Sequence, residues 1–380
     1  MEMVLEFLRD VLSQPALLIG IMSCIGLIAL KRPFHKVMTG TLKPILGYLM
    51  LAAGAGVIVN NLDPLGKMIE HGFHITGVVP NNEAIVAVAQ KVLGVETMSI
   101  LVVGLLMNLC IARFTKFKYV FLTGHHSLFM ACLMSAVLGT AGLSGMELIL
   151  VGGFLMGAWS AISPAIGQSY TSKVTDGDEI AIGHFGSLGY YLSAWVAKYV
   201  GKADDSTEDI EIPEKWGFLR DSTLSTALTM IVFYLIAAFA AGSEFVATLS
   251  GDMSPYLYAV MSAMNFAVGV TIVYSGVRMI LGDLIPAFQG IATKIIPNAI
   301  PAVDCAVFFT YAPTAVVLGF ISSFIGGIIG MLILGAVGGV LIIPGLVPHF
   351  FCGATAGIYG NATGGRRGAA VGAFLNGLAI

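Results

Sequence analysis

The stretch Ile296–Phe320, "IPNAIPAVDCAVFFTYAPTAVVLGF", sets one carboxylate, Asp304, among apolar side chains, with Pro297 and Pro301 before it and Pro313 after it. Each proline removes a backbone donor and clashes with the preceding turn, so this segment is not one regular helix. Its hydrophobicity places it at membrane depth. There, unwound backbone and an ionised acid persist only where protein or a water-filled cavity satisfies them. The segment therefore predicts an all-α polytopic membrane protein with broken helices and re-entrant hairpins, and a polar site at Asp304.

The rest of the chain agrees. Hydrophobic residues make up 57% of the 380 and charged residues 11%, against roughly a quarter charged in a soluble domain. Apolar runs of about twenty residues recur from end to end, each enough to cross a bilayer as a helix. They are continuous rather than alternating, which excludes a β-barrel. A net charge of −3 without a basic tract gives no footprint for nucleic acid. The five cysteines (Cys24, Cys110, Cys132, Cys305, Cys352) are scattered without CxxC spacing and read as packing residues, not a disulfide framework or a metal site. The start, "MEMVLEFLRDVLSQPALLIG", has acids before the apolar run and no small-residue cleavage pattern, so it reads as a retained first helix. No phosphate-binding glycine loop and no HExxH pair occurs. No catalytic residue, metal ligand or cofactor is assigned, and the energy source is expected outside this chain.

The first span is expected at Pro15–Leu30, ending at Lys31, Arg32 and Lys36 on the cytoplasmic side. A second runs over Leu42–Leu62, where Gly54 and Gly56 are expected to break the helix and allow close backbone approach. A third, Ala84–Ala112, returns to the basic cluster Arg113, Lys116 and Lys118. Two more lie within 119–166, and "AIGHFGSLGYYLSAWVAKYVG" suits a re-entrant hairpin or interfacial helix. The polar segment 200–221 is expected to be a cytoplasmic loop. Further spans are expected at Leu224–Ala241 and Tyr256–Leu281, an interfacial stretch at Asp283–Pro301, then spans at Ala302–Phe320 and Ile321–Ile343 and a Gly-rich C-terminal segment. In all, nine or ten membrane segments are expected.

Beside Asp304, two Gly-His contexts stand out: "LTGHHSLFMA" with His125 and His126, and "AIGHFGSLGYY" with His184. An imidazole there can donate to and accept from a hydroxylated solute. The alternative for each is an interfacial histidine without a ligand. "VPNNEAIVAVAQ" places Asn82 and Glu83 at a helix start, either as a simple cap or as a broken-helix terminus aimed at a solute.

These motifs, together with "TDGDEIAIGH" and "IIPGLVPHFFCGATAGIYGNATGGRRGA", resemble the membrane subunit, EIIC, of the ascorbate-specific phosphotransferase system (the UlaA/SgaT family) over essentially the whole chain. The resemblance implies a bacterial inner-membrane permease that moves L-ascorbate or a related sugar acid. Its cytoplasmic partner EIIB phosphorylates the sugar and is itself charged through EIIA. It further implies a homodimer in which each protomer is a single membrane domain over 1–380, with interleaved scaffold and core segments. Carried over residue by residue, the substrate contacts fall on Gly54, Ala55, Asn82, Glu83, His125, Phe129, His184, Phe185 and Asp304. Ala55, Phe129 and Phe185 stand where the family has serine, glutamine and glutamine, and the family continues past "GAFLNGLAI", so the C-terminal end is expected to be incomplete. The alternative without such a partner is a proton-coupled secondary transporter of a small polar solute, with Asp304 carrying the proton.

Overall fold

Long uncharged stretches rich in Leu, Ile, Val, Ala and Gly leave the backbone only its own groups to pair with, and helices dominate accordingly. The computed structural model describes residues 11, 14–74, 82–177, 179–210, 222–340 and 342–380. Its helices are α1 (Pro15–Ala29), α2 (Phe34–Gly72), α3 (Asn82–Phe114), α4 (Gly124–Thr140), α5 (Gly145–Thr175), α6 (Ser187–Val200), α7 (Ser222–Ala241), α8 (Ser243–Ser250), α9 (Pro255–Lys294), α10 (Pro313–Ala336) and α11 (Leu346–Ala379). Three short strands, β1 (Tyr119–Phe121), β2 (Ala181–Ile182) and β3 (Ile300–Val303), and two 3₁₀ turns, Thr207–Asp209 and Cys305–Thr310, lie between them.

Among the described residues, five helices are long and apolar enough to cross a membrane, or up to six if the pair α7 and α8, bent by 117°, forms one broken span. The bend falls at Gly242, whose φ of 82° suits a residue without a Cβ. The nine or ten membrane segments expected include shorter and broken ones, which this number leaves out. Apolar helices such as Ile19–Ala29 and His126–Thr140 are too short to cross a core of about 30 Å.

Two expectations are corrected. Helix α2 runs unbroken through Gly54 and Gly56. The close backbone approach expected there is present at Gly54, since a Cβ on it would stand 2.7 Å from the Gly269 carbonyl of α9. From Asp283, where an interfacial stretch is expected, the chain continues α9 as helix to Lys294; the Asp283 carboxylate lies 3.5 Å from the Lys43 ammonium, which offsets the cost of its charge. The two spans expected over 302–343 are one helix, α10, preceded by strand and 3₁₀ turn, because Pro301 and Pro313 bracket the irregular backbone. Of the 200–221 loop, residues 211–221 lie outside the described residues.

The chain folds into two interleaved compact units, one formed by residues 1–49, 81–188 and 278–307 and the other by 50–80, 189–277 and 308–380. In the first, the Gly153 and Gly157 face of α5 meets α3: a Cβ on Gly157 would come within 2.7 Å of the Gly104 carbonyl, and one on Gly153 within 2.4 Å of Val103. This is small-residue packing of the kind membrane helices use. Beside it, Ile100, Leu101, Met130, Ala131, Leu148 and Met156 form a buried cluster. Leu150 and Phe154 of α5, on one face of the helix, are exposed, as a lipid-facing surface requires.

The strands of this unit form a parallel sheet in the order β1-β3-β2, with Phe121 opposite Ala302 and Ile182 opposite Val303. A sheet edge in an apolar setting needs partners for its outward groups. Asn108 of α3, 1% exposed, supplies them on one side, donating to the Tyr119 carbonyl and accepting from the Phe121 N–H, both at 3.0 Å. Gln168 of α5 donates to the Ile180 carbonyl just before β2 on the other.

In the second unit, α10 and α11 pack closely through glycines; a Cβ on Gly319 would come within 2.5 Å of the Gly353 carbonyl. Helix α11 is broken at Gly364 and Gly365. The turn at 205–209 is clamped to that break: Asn361 accepts from the Thr207 N–H at 2.8 Å, and the Arg366 N–H donates to the Asp205 carbonyl. From the same turn, the Glu208 carboxylate accepts from the N–H groups of Thr314 and Ala315 and from the Thr314 hydroxyl, capping the start of α10.

Candidate functional site

Each strand of the small sheet hands on directly to a titratable side chain. β1 continues through Leu122, Thr123 and Gly124 into His125 and His126 at the start of α4; β2 continues through Gly183 into His184; β3 ends at Asp304. The strands are parallel and in register, so their C-terminal ends lie side by side. The Leu122 N–H donates to the Ala302 carbonyl at 2.9 Å and the Gly183 N–H to the Val303 carbonyl at 2.7 Å, which extends the pairing to the last residue before each turn. The ends of parallel strands are where open α/β sheets hold their ligands, and the geometric reason is the same: the chain leaves the sheet there and opens a crevice.

At these ends the rings of His126 and His184 have centroids 4.0 Å apart. His126 Nε2 lies 3.9 Å from Asp304 Oδ2, too long for a direct hydrogen bond but close enough for a strong charge interaction once the ring is protonated. The other Asp304 oxygen accepts from the Ala306 N–H at 3.0 Å, which fixes the carboxylate plane. His184 Nδ1 accepts from the Gly186 N–H at 2.9 Å, so the neutral ring carries its proton on Nε2 and donates there. His184 and Asp304 are buried, and His126 nearly so. Buried Tyr48 of α2 lies within electrostatic reach of Asp304 and Cys305. Starts of two helices, α4 and α6, follow these turns, and their first N–H groups favour an acceptor. Together the groups offer a carboxylate acceptor and imidazole donors in one protected place, beside two helix starts, a set able to bond a small polar solute.

Of the residues singled out in the sequence, the structure brings His184 and Asp304 together. Phe129 stands at the rim, its ring 5.9 Å from His126. Phe185 is 6.3 Å from His126 and also packs against the Met156 cluster. The side chains of His125, Asn82 and Glu83 lie outside the described residues, while Gly54 and Ala55 belong to the other compact unit. The imidazole that meets both other groups is His126, which the sequence had offered only as the neighbour of His125. The pairing of β1 with β3 sets where α4 begins relative to the acid and so brings His126 to it. Among the described residues, no group of His, Cys, Asp or Glu is arranged to hold a metal ion.

The family described as EIIC-GAT, PTS system sugar-specific permease component, matches residues 10–380. The chain belongs to this family. With its several apolar spans, this member of the sugar-specific permeases is a multi-pass protein of the bacterial inner membrane. Among curated proteins it is similar to one named "Ascorbate-specific PTS system EIIC component" from Mycoplasma pneumoniae (strain ATCC 29342 / M129 / Subtype 1), at 28% identity over 96% of this chain. The chain spans 63% of that relative's length. Permease family and fold class agree with what the motifs around His184 and Asp304 imply, and the sheet adds how those motifs meet.

Proposed function

We propose that this permease moves L-ascorbate, or a related small sugar acid, across the membrane and presents it to a phosphorylated EIIB subunit, with EIIA upstream. The observation that carries this reading is the convergence of His126, His184 and Asp304 at the ends of three parallel strands. In this reading Asp304 accepts from sugar hydroxyls while His184 Nε2 donates to an oxygen of the solute. His126, when protonated, offsets one of the two negative charges that Asp304 and the anionic sugar bring together. Phe129 and Phe185 border the site with flat apolar faces suited to the C–H surface of a sugar. Gly54, Ala55, Asn82, Glu83 and His125 remain in the proposal on the family resemblance alone, as does the homodimer. The phosphoryl group resides on the partner, and no residue of this chain is assigned to carry it.

The nearness of His126 to Asp304 also favours a second reading, in which the pair carries a coupling proton without any cytoplasmic partner. Uptake of radiolabelled L-ascorbate into vesicles separates the two. Uptake that depends on EIIB and a phosphoryl donor, with phosphorylated sugar appearing inside, supports the phosphotransferase reading. Accumulation driven by a pH gradient alone overturns it in favour of the proton-coupled transporter.

A further inference from the structure

We infer that Thr123 is a further solute-contacting residue of this site, its hydroxyl bonding a hydroxyl of the bound sugar acid; the inference rests on the proposed function above. Thr123 is 1% exposed, and its Oγ1 is a buried polar atom without a hydrogen-bond partner among the described residues. The residue occupies the N-cap position of α4 yet makes no side-chain capping bond. Threonine is favoured there because its hydroxyl ordinarily accepts from the first turn. Its backbone carbonyl is used, accepting from the Ser127 N–H at 3.0 Å, so the local chain is in order and only the side chain is held back from capping.

Where that side chain points is fixed by its neighbour across the sheet. A Cβ added to Gly183, the residue before His184, would come 3.1 Å from Thr123 Oγ1 and 2.6 Å from the Ala302 carbonyl. The hydroxyl therefore lies across the strand ends, between the Gly-His turn of β2 and the residues that lead to Asp304. Glycine at 183 leaves it the room. A buried hydroxyl with no partner disfavours folding unless something supplies one. Thr is also stiff about χ1, so the group is held in place before a ligand arrives. A polyhydroxylated solute between His184 and Asp304 supplies both a donor and an acceptor at that point.

The test uses the purified protein in detergent, with calorimetric titration of L-ascorbate and a ligand-free thermal melt, for the parent, Thr123→Val and Thr123→Ser. Valine keeps the shape and loses the hydroxyl; serine keeps the hydroxyl. The expected result is about tenfold weaker binding by Thr123→Val, binding by Thr123→Ser within about threefold of the parent, and a ligand-free midpoint for Thr123→Val equal to or above the parent's. Parent-like affinity in Thr123→Val overturns the inference. So does a lower ligand-free midpoint in Thr123→Val alone, which marks a structural partner for the hydroxyl, and so does equal weakening by both variants. If the parent itself fails to bind L-ascorbate, the substrate reading falls and the inference falls with it.

Discussion

Replacing Asn108 by leucine tests whether the sheet edge is the foundation of the site. The side chain is similar in size, so the packing of α3 against β1 changes little, but both edge bonds vanish: the donor to the Tyr119 carbonyl and the acceptor for the Phe121 N–H, each at 3.0 Å. Phe121 is 7% exposed and Val120 fully buried, so water does not easily replace the lost partner. An unsatisfied buried backbone group costs about 1–3 kcal/mol, and two of them, partly relaxed, cost about 3 kcal/mol. At a few degrees per kcal/mol for a protein of this size, the ligand-free midpoint should fall by roughly 5 °C or more. Because β1 leads straight to His126, L-ascorbate affinity should fall as well, although Asn108 touches no solute. The assay pairs a detergent thermal melt with calorimetry. Asn108→Leu with an unchanged midpoint and unchanged affinity would show that β1 is held by something other than this side chain, and the account of how the site is positioned would fail.

Asp304→Asn keeps the size and loses a charge-assisted acceptor, so L-ascorbate binding should weaken at least tenfold by calorimetry with the elution profile unchanged; parent-like affinity would remove Asp304 from the site. Phe129→Gln adds a donor and an acceptor at the rim and should raise L-ascorbate affinity, while Phe185→Gln also takes a ring from the Met156 cluster and should lower the thermal midpoint. If Phe185→Gln melts like the parent, its ring does not support that core. Glu208→Gln keeps one acceptor oxygen, turns the other into an amide donor and removes the charge at the start of α10, and should cost about 1 kcal/mol, read as a small loss of midpoint, while added salt should lower the parent's midpoint. A midpoint that salt leaves unchanged in the parent would argue that the cap is not electrostatic.

The membrane class and most helix positions are legible because about twenty apolar residues in a row admit few other solutions. The polar break at Asp304 is legible because prolines and a carboxylate declare it locally. The strands are not. Ala181–Ile182 and Ile300–Val303 are apolar, as is nearly everything around them, and their pairing joins segments far apart in sequence. So Ala302–Phe320 reads as a span when it is strand, 3₁₀ turn and helix start. At Asp283 the polarity is legible but its partner is not, because Lys43, 3.5 Å away, comes from a segment distant in sequence. The parts played by His126 and Thr123 depend on side-chain direction at the strand ends, and that of Tyr48 on the packing of α2, which composition and spacing do not encode. The signal that could have pointed to the turns after β1 and β2 is the Gly-His pair that follows each of them.

The central position of β3 has a consequence for biosynthesis. β1 and β2 do not pair with each other; each pairs only with β3, which the ribosome makes last. Until Ile300–Val303 emerge, the first two strands have their side groups from α3 and α5 on one flank and nothing on the other. Such long-range closure is slow compared with helix formation. The nascent protein must therefore wait with two strands that lack their common partner, and a chain cut short before residue 300 could insert its early helices and still have no site to fill.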